Sequence, residues 1–188
     1  MRWLRAIASA GAVAYQLGWF ALKGLRPDLN TLSAPAVALG LALPLGVAVF
    51  ALAGATRRGL DGLGERASHL ALLLVGLPAL FVVGTVVTAT RGQGDGAFWQ
   101  GAVPCMLGTA MLTVGPLALG AWAFRHAFAG ASAPRTAALG VACGALAAAT
   151  MSLACPQGGS LHVVVGHGAA MIVGGGLGSL LGLRFTRS

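Results

Sequence analysis

Three cysteines and four histidines are the residues of this 188-residue chain best suited to soft-metal or thiol chemistry. Cys105 lies about two turns into an apolar segment that starts near residue 99, and Cys155 closes another that ends near 154. His162 and His167 fall in the first turns of the next apolar segment, with Gln157 and Ser160 in the connection before it. If these segments run up and down as a bundle, Cys105, Cys155, His162 and His167 converge near one face, whereas Cys143 sits mid-segment and apart. Two cysteines and two histidines are ligands that suit a soft metal. The spacing Cys-x6-His-x4-His matches no zinc-finger pattern. On an α-helix, residues five apart project about 140° apart, so His162 and His167 are not expected to share one metal easily. The two outer cysteines can instead form a disulfide in an oxidising compartment, locking the fourth segment to the fifth. The plainest alternative has the histidines bonded to backbone or neighbouring side chains and the thiols packed as small hydrophobes. All three readings stand at this point.

Other chemistry is poorly served. The four acidic residues, Asp28, Asp61, Glu65 and Asp95, all lie in polar connections, so no carboxylate stands within an apolar segment as a proton relay. A Cys155–His162 nucleophile pair lacks a nearby acid to orient it. The chain therefore does not read as an enzyme. Its net charge of +8 comes from basic residues scattered in ones and twos, with no basic face for direct nucleic-acid binding. Pro44, Pro78, Pro104 and Pro116 interrupt apolar segments, but without a buried charge or an inverted repeat they make a weak case for a transporter.

The elements that must position these residues are set by composition. Hydrophobic residues make up 57% of the chain and charged residues only 9%, against about 25% charged in soluble domains. Mean hydropathy is +0.84. A spanning helix needs about 20 apolar residues, and six segments come near that length: 6–22, 34–55, 69–90, 99–124, 136–154 and 161–183. The expected fold is all-α, a single transmembrane domain over 1–188 that forms a six-helix bundle in the lipid bilayer. Arg2 and Arg5 precede the first segment as in a signal peptide, but no convincing cleavage site follows before Lys23, so the segment is read as retained. Nine Lys and Arg fall at the two termini and in the second and fourth connections, against three in the others. That bias places both termini inside. Gly174, Gly178 and Gly182 form a small-residue face for close helix packing, within the chain or between copies as a homo-oligomer.

The stretches FWQGAVPCMLGTAMLTVGPLALGAWAFRHAFA (98–129) and LACPQGGSLHVVVGHGAAMIVGGGLGSLLG (153–182), with LRPDL (25–29), resemble the NrsF-type family of bacterial membrane anti-sigma factors. The likeness covers most of the chain from residue 17 onward, and Cys-Pro followed by Gly-His is its most specific element. It implies a multi-pass protein of the bacterial inner membrane that holds an extracytoplasmic-function (ECF) sigma factor inactive. It also implies that an outer-side cysteine pair, here Cys105 and Cys155, senses stress such as heavy metals, with transient metal binding rather than a resident cofactor. Members of that family usually carry a cytoplasmic tail before the first span. Here only residues 1–5 precede the apolar run, so either the true start lies further upstream, or sigma-factor binding uses the cytoplasmic loops, or the chain has lost that activity. The competing expectations are a structural or assembly subunit of a membrane complex, or a small transporter.

Overall fold

The computed structural model describes residues 2–32, 34–56, 75–88, 98–124, 132–156 and 160–185, and every regular element among them is helical. Helix α1 spans Arg2–Lys23. Helix α2 runs Ala34–Val37, continues through a π turn at Ala38–Ala42, and ends as Leu43–Thr56. Helices α3, Leu77–Thr88, α4, Phe98–Phe124, and α5, Ser132–Ala154, follow. Helix α6 runs Ser160–His162, a π turn at Val163–Gly168, and Ala169–Phe185.

The expectation of six spans needs correction. Among the described residues, three helical stretches are long and apolar enough to cross a membrane: Gly101–Ala123, Ala133–Ala154 and Val163–Arg184. Helix α1 is long enough, but Arg2, Arg5, Tyr15, Gln16 and Lys23 dilute its apolar character. In α2 the apolar stretch shortens to Gly40–Ala55. Residues 69–74 and 89–90 of the expected third span lie outside the described residues, as do the connections 57–68 and 125–131. Ile7, Phe50, Leu107, Met111, Ile172 and Leu180 point outward, an apolar exterior that suits lipid.

Helix α5 stands at the centre. Its alanines at 137, 138, 145, 147, 148 and 149 are all buried, because small side chains let neighbours approach from every side. One cluster joins Val47 and Ala51 of α2, Phe81 of α3, Val141 and Ala145 of α5, and Met171 of α6. The tightest seam is α5 against α6. A Cβ on Gly140 would collide with the Gly174 carbonyl, and one on Gly144 with the Ala170 carbonyl. A Cβ on Gly178 would meet the Thr136 carbonyl, and one on Gly182 would meet Ala133 and Thr136. The small-residue face expected at 174, 178 and 182 is thus occupied within the chain.

Prolines set two local features. Pro44 has no N–H for the Gly40 carbonyl, and the helix just before it opens into the π turn, with the Leu43 N–H bonded to Ala38 O. Pro116 likewise leaves Leu112 O without its helical donor. Gln16 Nε2 of α1 donates to that carbonyl at 3.2 Å, and the neighbouring Tyr15 hydroxyl donates to Met111 O at 3.0 Å. In a low-dielectric bundle a freed carbonyl must find such a partner. Gln16→Leu is expected to cost about 1 kcal/mol of stability, read as a lowered Tm in detergent. In a Pro116→Ala background the helix regains its own donor and the cost shrinks. An equal cost in both backgrounds would show that Gln16 does not serve the proline's orphan.

Candidate metal centre

Cys105 enters the site from the second turn of α4. Cys155 enters from the C-terminal end of α5, where its N–H bonds Met151 O at 2.7 Å and Pro156 follows. The helix stops there because proline cannot donate the next bond. His162 and His167 come from α6, bracketing its π turn.

Gly166, between the two histidines, allows α4 and α6 to meet at this level. A Cβ there would lie 3.3 Å from Cys105 Cβ and 3.5 Å from His162 Nε2. The fully buried Thr109, one turn beyond Cys105, shares its one hydroxyl proton between Gly166 O, at 2.8 Å, and Cys105 O. Gly166 O is thereby engaged by a side chain of another helix. Such insertion into the backbone ladder is a recognised cause of local distortion. The ladder shifts to i→i+5, seen in the Ala169 N–H bonded to Val164 O.

That shift overturns the expected 140° separation of the histidines. In a π turn the bonded residues are five apart, so positions 162 and 167 come round to nearly the same face. Their rings meet edge to face with centroids 5.4 Å apart. The sulfurs of Cys105 and Cys155 lie 3.2 Å apart and are not joined as a disulfide, and Cys155 Sγ is 3.3 Å from His162 Nε2. One ligand atom from each of the four residues falls within 4.8 Å of all the others, so the cluster can hold a metal ion. Cys155 and both histidines are buried and Cys105 is partly buried. The convergence expected from an up-and-down bundle is therefore observed. Cys143 is separate, packed with Ala55, Leu117 and Leu139.

The histidines are only partly satisfied. His167 Nδ1 contacts Ser152 Oγ at 3.1 Å. His162 Nδ1 and His167 Nε2 are buried without a hydrogen-bond partner among the described residues. The reading that both imidazoles are simply bonded to neighbours does not account for these two atoms.

Arg26, in the connection after α1, braces the site from outside. Its N–H bonds Leu153 O at 2.9 Å, and its guanidinium bonds Pro156 O at 3.1 Å and reaches Ser152 O at 3.5 Å. These carbonyls lie at or just past the end of α5, where donors are lacking and a cation is favoured. Asp28 holds the guanidinium through two bonds of 2.7 Å. The paired Arg26 in turn keeps the Asp28 carboxyl below the usual carboxylate range, through the hydrogen bond first.

Sequence reasoning missed Ser152, Thr109 and the bracing role of Arg26. The Arg-x-Asp pair within LRPDL was the one visible signal. Gln157 lies outside the described residues.

A comparison with family models finds that the family described as negative regulator of sigma F matches residues 1–187. No curated protein and no solved structure matches the chain.

Proposed function

Because the chain belongs to the family of negative regulators of sigma F, whose name makes a sigma factor its partner and regulation rather than catalysis its task, we propose that it is a multi-pass anti-sigma factor of the bacterial inner membrane. In this reading it sequesters an ECF sigma factor at the cytoplasmic face, with both termini inside and the connection after α5 outside. A metal or thiol-reactive signal arriving from outside acts on Cys105 and Cys155.

The observation that carries the sensing half is the cluster itself, two thiols and two imidazoles brought together from three helices. Its position suits a relay. Cys155 and His162 flank the α5–α6 connection, and the π turn leads directly into the glycine seam between α5 and α6. A change in ligation at the cluster shifts the packing of α4, α5 and α6. The shift reaches the far ends of these helices, where Arg135 and Arg184 lie. Basic groups there, with those of the connections 57–68 and 125–131, offer contacts for an acidic surface of the sigma factor.

Pull-down of the tagged full chain from detergent tests the partner. A sigma factor is expected to co-purify and to be released when the inducing metal or oxidant is added. Purification without any sigma factor, from cells that express one encoded beside this chain, would reject the reading.

A further inference from the structure

We infer that Cys105, Cys155, His162 and His167 form a tetrahedral S2N2 site for a divalent d10 cation of the zinc or cadmium class, with both histidines as direct ligands and Ser152 orienting His167. The inference rests on reading this cluster as the sensor and specifies what binds there and through which atoms.

Ser152 supplies the first argument. Its hydroxyl donates its only proton to Ala148 O at 2.9 Å. In its 3.1 Å contact with His167 it must therefore accept, so His167 Nδ1 carries the proton. Nε2 is then the basic nitrogen with a free lone pair. It is the ring atom left without a hydrogen-bond partner, on a side chain only 1% exposed. A ligating histidine characteristically donates its other N–H to a fixed acceptor, which sets the tautomer and aims the lone pair. Ser152 does this for His167.

Distances supply the second. Zn–S bonds of about 2.3 Å and Zn–N bonds of about 2.0–2.1 Å put neighbouring ligand atoms of a tetrahedron roughly 3.3–3.8 Å apart. The thiols are 3.2 Å apart, Cys155 Sγ and His162 Nε2 are 3.3 Å apart, and the whole set falls within 4.8 Å. Small side-chain rotations complete the site. A disulfide between Cys105 and Cys155 would use neither imidazole.

Charge supplies the third. On binding, each thiol gives up its proton, so one divalent cation replaces two protons and both histidines enter neutral. The resulting site is neutral overall. A monovalent ion would leave a net negative charge among buried residues, and Arg26, which braces the site, is already paired with Asp28. Sulfur and imidazole together favour zinc-like ions over magnesium or calcium, which prefer oxygen.

Cobalt(II) titration of the reduced full chain in detergent reads the site directly, without a sigma factor present. The expected result is the visible d–d spectrum of tetrahedral cobalt with a near-ultraviolet thiolate charge-transfer band, saturating at an equimolar ratio and displaced by zinc or cadmium. Ser152→Ala should weaken affinity by about 10–100-fold while keeping the spectrum. His167→Gln and His162→Gln should each lose the tetrahedral bands, with circular dichroism confirming that the helices persist. Wild-type protein that binds no cobalt, histidine variants that bind as tightly as wild type, or a site that takes copper(I) and excludes zinc would each overturn the inference. Sigma-factor pull-down is scored separately, so a lost partner and a lost metal site are told apart.

Discussion

Gly140→Val is expected to remove the protein from the folded pool, lowering stability by about 3 kcal/mol or more, at the upper end of overpacking costs. A side chain at 140 has nowhere to go. Even its Cβ would overlap the Gly174 carbonyl, and a Cβ on Gly174 would in turn overlap the Gly140 carbonyl. Backbone on both sides means that no rotamer change relieves the clash, so α5 and α6 must separate. Both helices carry residues of the cysteine–histidine cluster, and separation would also break the contact of Cys155 with His162. Gly176 gives the matched control. It lies on the same helix as Gly174, and a Cβ there meets nothing within 4 Å. Gly176→Ala should leave Tm unchanged or raise it, because alanine favours helix by about 1 kcal/mol over glycine. Thermal melts in detergent distinguish the two positions. Similar losses at 140 and 176 would mean that the glycines act through helix propensity alone and that the seam is not the contact described.

Cys155→Ser is expected to abolish the response to metal or oxidant while the sigma factor stays bound. Cys155 is the hub of the cluster, in contact with both Cys105 Sγ and His162 Nε2. A serine hydroxyl at this position stays protonated and does not replace a thiolate as a ligand for a soft ion. Loss of a direct ligand should exceed the 10–100-fold penalty typical of a lost supporting group. Cys105→Ser should behave in the same way, and Cys143→Ser should respond like wild type, because Cys143 packs in a separate apolar cluster. A reporter gene driven by the cognate sigma factor measures the effect. Full induction in both the Cys105 and Cys155 variants would reject the sensor.

Much of this protein was legible before any coordinates. Composition alone calls for a largely apolar exterior, since so few charges cannot cover a water-exposed surface. The positions of Cys105, Cys155, His162 and His167 near segment ends place them at one level of any up-and-down bundle, and the structure brings them together. The separateness of Cys143 was equally clear from its mid-segment position. Family likeness was carried by short stretches around the same residues.

Other features depended on neighbours that the linear order does not identify. Helical periodicity of 3.6 sets His162 and His167 on different faces, and nothing local to α6 contradicts it. The π turn is associated with a hydroxyl from Thr109 on α4 that engages the Gly166 carbonyl. Gln16 serves Leu112 across 96 positions of chain because Pro116 withdraws a donor. Ser152 is an ordinary helix residue until His167 is placed beside it, and Arg26 is an ordinary loop cation until it reaches the end of α5. Even the glycine face at 174, 178 and 182 was visible without its partner. That the chain is helical and apolar, and that four side chains share a level, follows from local spacing and transfer from water. Which atoms of those side chains face one another depends on packing between helices, because donors and acceptors on other helices rearrange the backbone bonds.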